Sequence, residues 1–202
     1  MKKSIKLICI VLTVLTIVSG CASSGKNFIY QNRNLIELHK TTIDEAVQYL
    51  GKPSSKVFKS TKEGDFEILT YAYAYATPSG ASARVFFLEF KNGKLNGKIY
   101  NSGFKEDITE FNFENYKNIK IGVSNKADVI KFLGTPSGKA ICPSTLADFS
   151  DKCKDATEIW AWFHTKTSEG YDTETIKSKT LKISFDSIGS VVNIDASKEE
   201  DN

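Results

Sequence analysis

The spacing of apolar residues changes character several times along the chain. From Thr42 to Gly51 and from Asn125 to Gly134 it is helical, with Ala46, Val47 and Leu50 on one side of the first segment and Val129, Ile130 and Leu133 on one side of the second. Thr41 or Thr42 can cap the first helix, and Ser124 or Asn125 the second. Gly51 and Gly134 suit the left-handed residue that ends a helix, and Pro53 and Pro136 forbid continuation. Elsewhere the period is two, which predicts strands near 66–76, 83–91, 94–100, 157–165, 179–186 and 191–196. Asn92-Gly93 is a hairpin signal between two of them. A further helical stretch is predicted over 107–118.

The two helical segments share more than their period. Leu50-Gly51-x-Pro53-Ser54-x-Lys56 recurs as Leu133-Gly134-x-Pro136-Ser137-x-Lys139, and strands follow in the same order each time. The expected fold class is therefore α+β: two tandem helix-plus-antiparallel-sheet repeats, which can stand side by side in one continuous sheet. Residues 38–101 form unit one, residues 102–197 form unit two, and 198–202 are a tail. Within the strands, Leu181, Ile183 and Phe185 should face the helix, as should Phe86, Leu88 and Phe90, which turns Val85, Phe87 and Glu89 outward. For Tyr71, Tyr73, Tyr75, Trp160 and Trp162 the sequence allows either face. Turned inward they are core; turned outward, with Phe87, they are an aromatic surface suited to a protein partner, since Tyr and Trp dominate interface hot spots.

Residues 1–20 stand apart. Lys2, Lys3 and Lys6 precede an apolar run from Leu7 to Val18, too short to cross a bilayer comfortably, which takes ~20 residues. Small residues then lead into a cysteine, Val18-Ser19-Gly20-Cys21. A basic start, a short apolar core and a small-residue cleavage site define an export signal. The signal also explains the formal charge. The chain has 27 basic and 24 acidic residues, and the three lysines of the signal account for the whole excess. A balanced mature chain, without a clustered basic footprint, argues against nucleic acid as a partner.

Cys9 lies in the signal, which leaves Cys142 and Cys153 besides Cys21. An even pair in an exported chain reads first as a disulfide, with free thiols and a metal site as alternatives. The spacing is far from that of a zinc motif, and no metal or cofactor is expected. An enzyme is not expected either. The two histidines, His39 and His164, have no acid or nucleophile at a recognisable spacing. The chain carries neither a phosphate-cradling glycine loop nor a Gly-x-Ser-x-Gly elbow.

Two resemblances add to this reading. Val18-Ser19-Gly20-Cys21 resembles the bacterial lipobox, which implies cleavage before Cys21, a lipid on its sulfur, and a tether over 21–37 between membrane and fold. Two acyl chains anchor a protein stably where one does not. The absence of Asp at position 22 implies the outer membrane, facing the periplasm, or the cell membrane if the organism is Gram-positive. Further on, Ile121-Gly122-Val123-Ser124 through Leu133-Gly134-Thr135-Pro136, then Ile159-Trp160-Ala161-Trp162, then 181–186 and Val192-Asn193-Ile194-Asp195, resemble the SmpA/OmlA (BamE-like) family of outer-membrane lipoproteins. That resemblance implies protein binding in outer-membrane or β-barrel assembly. A tandem of such units also resembles the β-lactamase inhibitor protein, which implies the alternative: a module that binds a periplasmic or secreted hydrolase.

Overall fold

The computed structural model describes residues 22–77, 80–107, 111–147, 149–168 and 175–199. Among them nine strands make one antiparallel sheet: β1 (Ala22–Gly25), β2 (Ser55–Thr61), β3 (Gly64–Thr77), β4 (Gly80–Lys91), β5 (Lys94–Ser102), β6 (Gly138–Ile141), β7 (Glu158–Ser168), β8 (Thr175–Phe185) and β9 (Val191–Glu199). β1 and β2 share one edge of β3, and from β3 to β9 the strands lie side by side in chain order. The predicted hairpin forms at Asn92-Gly93, where both residues take positive φ (52° and 75°) as the tight turn requires.

Two eight-residue helices, α1 (Ile43–Leu50) and α2 (Lys126–Leu133), pack on one face. Both start with a capping box, Thr42 with Glu45 and Asn125 with Asp128, so the first free N–H groups find side-chain acceptors. Both end at a glycine with φ near +80°, Gly51 (84°) and Gly134 (74°). Residues 30–35 and 113–118 are 3-10 turns packed beside these helices.

The expected fold class needs correction. The chain is not two tandem helix-plus-sheet units but a single, mostly antiparallel sheet with short helical pieces. The finding that overturns it is the balance of elements among the described residues, nine strands in one sheet against two eight-residue helices and short 3-10 turns; the sheet is continuous through the pairing of β5 with β6, Gly97 with Ala140, Lys98 with Lys139 and Ile99 with Gly138. The physical reason is the cost of an open edge: unpaired N–H and C=O groups on the last strand of one half are satisfied by the first strand of the next. β6 has only four residues, too few to show a period.

Three further expectations change. The segment 21–37 is not a loose tether among its described residues: β1 pairs with β3, Phe28 is 6% exposed and Ile36 fully buried. The stretch 107–118 is not one helix; its described parts are short 3-10 turns at 105–107 and 113–118. β9 runs into the expected tail, to Glu199. The signal and Cys21 lie outside the described residues.

The core has three parts. On the helix-bearing face, Ala46 and Leu50 of α1 meet Leu69, Tyr71, Phe86, Leu88, Phe90 and Leu95. On the same face, Val129 and Leu133 of α2 meet Trp160, Trp162, Leu181, Ile183 and Phe185. The third part is on the opposite face at the middle of the sheet, where Ile68, Ile99, Ala140, Ile159 and Ala161 are covered by Leu146 and Phe149.

Candidate protein-binding face

Register assigns every strand residue to a face, because residues paired across strands point the same way. Tyr71 is opposite Phe86 and Trp160 opposite Ile183, so the aromatic stripe lies on the helix-bearing face. Tyr71, Trp160 and Trp162 are buried (1%, 5% and 1% exposed), which corrects the reading of these three as an open recognition surface. The helices settled on the large side chains rather than on Ala72, Ala74 and Ala76, because only the large rings fill the space beneath a helix. The indole nitrogens are satisfied there: Trp162 Nε1 donates to the Gly134 carbonyl at 3.3 Å and Trp160 Nε1 to Glu158 Oε1 at 2.5 Å. Burial pushes the Tyr71 hydroxyl up to about 12. Tyr73 and Tyr75, further along the same face, are half-buried, and Tyr73 stacks on Phe104 with ring centres 5.9 Å apart.

Phe87 is on the opposite face, as expected, beside Val85 and Glu89. That face is only partly open. Cys142 and Cys153 form a disulfide, with Cα atoms 5.3 Å apart, and the loop between them lies over the middle of the sheet. Leu146 and Phe149 are its apolar underside. Glu89 does not face solvent. It is fully buried and its carboxylate accepts from Thr145 N and Thr145 Oγ1 at 2.6 Å and from Asn96 Nδ2 at 2.8 Å. Asn96 Nδ2 also donates to the carbonyls of Ile141 and Pro143, at 3.1 and 3.0 Å. At the loop's two margins Lys59 Nζ donates to the Thr145 carbonyl and Lys152 pairs with Asp195, each at 3.0 Å.

The loop fits because the sheet beneath it is thin. A Cβ on Gly97 would stand 3.0 Å from Leu146 Cδ1, and one on Gly138 would stand 3.2 Å from the Phe149 ring. The sequence placed Glu89 on this face but gave no sign of its burial, and it did not single out Asn96, Gly97 or Gly138. The available signal was Gly97 within an alternating strand, which marks a close approach by something else.

Among the described residues, one partly uncovered region of this face is a strip toward the β3–β4 and β7–β8 hairpins. Thr70, Ala72, Val85 and Asn101 line it on one side, and Phe163 and Thr180 on the other. All six are half-buried, and Phe87 and Phe163 form its apolar boundary against the third core. The strip thus combines small, polar and aromatic groups beside the crosslinked loop. Among the described residues no three His, Cys, Asp or Glu side chains converge as metal ligands. No helix among them is long and apolar enough to cross a membrane.

This geometry defines a class: a wide antiparallel sheet with helices on one side and a partly open face on the other. A solved structure from Streptococcus mutans has the same fold, with a TM-score of 0.50, 14% identity, and coverage of 83% of this chain and 94% of that one. That protein is described as a "putative beta-lactamase inhibitor protein". At this identity the likeness is one of fold. No protein-family model matches the chain, and no curated protein does, so the SmpA/OmlA resemblance gains no support.

Proposed function

We propose that this chain is a non-enzymatic, membrane-anchored inhibitor-like module that binds an exported hydrolase through the partly open sheet face. The observation that carries the reading is the uncovered strip beside the Cys142–Cys153 loop, on a fold shared with a protein described as an inhibitor. The loop is fastened to the sheet through Glu89, Asn96, Lys59 and Lys152, so it would meet a partner already ordered. Preorganisation of this kind lowers the entropy cost of binding. The barrel-assembly reading has no comparable support, because it came from the family resemblance.

A lipid on Cys21 belongs to the same proposal. Ala22 pairs with Ala76 near the end of β3, so an anchor on the preceding residue would sit beside the β3–β4 hairpin, one Cα–Cα step of about 3.8 Å from the sheet. The partner would therefore be met close to the membrane surface, whether that is the outer membrane or the cell membrane.

The test uses the detergent-solubilised full chain against a panel of exported hydrolases, serine β-lactamases included. Inhibition of one of them near stoichiometry is expected, weakened about tenfold or more by Val85→Glu, since one desolvated charge in an apolar contact costs over ~1.4 kcal/mol. No inhibition and no complex across the panel would remove the inhibitor reading. In parallel, Cys21→Ser should abolish labelling by radioactive palmitate; unchanged labelling would remove the anchor.

A further inference from the structure

The helix-bearing face has a cleft of its own, about 680 Å³, between the 3-10 turn at 30–35 and the segment entering β6. Its floor is the β5–β6 seam, where Lys98 and Lys139 are direct cross-strand partners. Like charges directly opposite each other destabilise a sheet. Neither lysine has a carboxylate oxygen within 4.0 Å among the described residues. Lys98 Nζ donates to the Ile36 carbonyl, and Lys139 Nζ sits 4.1 Å from the centre of the Trp160 ring. Arg33 also lines the cleft, stacked 4.9 Å from the Tyr100 ring. Three carboxylates line the cleft as well: Glu37 is paired with Lys40, Glu158 with Lys126 and Trp160, and Asp107 Oδ2 with Arg84, Tyr100 and Ser102, while Asp107 Oδ1 is buried without a hydrogen-bond partner.

The recurrent Leu-Gly-x-Pro-Ser-x-Lys segment shows that this arrangement is not imposed by the fold. Lys56 occupies the position matching Lys139, and it is neutralised by Glu67. The matching acid in the other half of the sheet is Glu158, which Lys126 has taken. Lys98 has a counterpart too. Counting from the matching bridges Thr42–Lys94 and Asn125–Ser190, its position in β9 is held by Ile194, an apolar residue packed on the core. Two positions that are neutral or apolar in one half are thus occupied by unneutralised cations where the halves meet.

We propose that this cleft binds an anionic oxygen group of about two negative charges, a phosphate or a dicarboxylate, between Lys98 and Lys139, with Arg33 at the rim. Such an anion would remove the repulsion across the seam and replace the missing carboxylate. Burial and the neighbouring Lys139 push Lys98 down to about 8, and an anion between the two lysines would favour the charged form. The two lysines lie on the face opposite the strip, although Asn101 and Phe163 border both sites, and the anion proposal does not depend on the inhibitor reading.

The experiment is a titration of the detergent-solubilised full chain with inorganic phosphate and, separately, with succinate at fixed ionic strength, using potassium chloride as the control. Binding is read from the ε-carbon NMR signals of the lysines. Saturable shifts of Lys98 and Lys139 are expected, weakened about tenfold or more in Lys98→Met and in Lys139→Met, and retained in Lys98→Arg. Lys56→Met should bind as the unaltered chain does. Saturation by phosphate alone or by succinate alone identifies which group the cleft takes. The proposal is overturned by no saturable shift, by an equal effect of chloride, or by equal loss in Lys56→Met.

Discussion

Lys98 is held where its own charge is disfavoured, chiefly by burial and next by Lys139 across the strand pair, with Glu37 offering partial relief and Arg33 adding to the repulsion. A lysine with a folded pKa of about 8 against an ordinary 10.5 binds its proton less tightly in the folded chain than in the unfolded one. The unfolded state therefore holds more protons between those two values, and stability contributed by this residue rises with pH across that window. At neutral pH the charge costs roughly 1–3 kcal/mol, the upper figure being the full linkage value before solvent screening. Denaturant titrations at pH 7.5 and pH 10 should show a smaller gain for Lys98→Met than for the unaltered chain. An identical gain in both would mean that Lys98 does not carry the effect. Lys139 is lowered as well, by burial first, so the two lysines act in the same direction. Glu89, with no exposure, accepts three hydrogen bonds from two residues.

At the scale of single elements, β1 has the clearest consequence. Gly25 crosses β3 so closely that a Cβ would lie 2.4 Å from the Ala72 carbonyl oxygen, and its φ of +79° is one that L side chains rarely adopt. Gly25→Ala should release β1 while leaving Phe28 and the helices in place. Hydrogen exchange at residues 22–25 is expected to speed up by about tenfold or more, as for a frayed strand. Unchanged protection would show that β1 is held by its ladder alone. The helices are legible elements by contrast: their caps, period and terminal glycines are written in consecutive residues, and both begin and end within a residue or two of the sequence expectation.

For the whole molecule, the disulfide loop decides which part of the sheet is open. Its crosslink closes a separation of 11 residues, which in the loop-entropy model is worth roughly 2–3 kcal/mol. Cys153→Ser should lower unfolding stability by about that amount and expose Phe149 and the third core to an apolar dye. If stability falls without added dye binding, the loop stays closed through its contacts with Glu89, Asn96, Lys59 and Asp195. Because the loop lies beside the proposed partner strip, the same variant should also weaken the inhibitory complex.

Local order is what the sequence by itself determined. The helix at 43–50, the helix at 126–133, the hairpin at Asn92-Gly93, the inward set Leu181, Ile183 and Phe185, and the cysteine pair were all readable. Each depends on neighbours within a turn or a pleat, or on residue chemistry alone. Only the tertiary structure decided the rest. Whether Tyr71, Trp160 and Trp162 were core or surface depended on which face the helices covered, a choice to which alternation along a strand is blind. That Glu89 is buried depended on a loop some fifty residues away, and the Lys98–Lys139 pair exists because β5 and β6 joined two halves into one sheet. Periodicity is a near-neighbour property of the backbone, whereas coverage and cross-strand company are set by segments that meet only when the chain closes on itself.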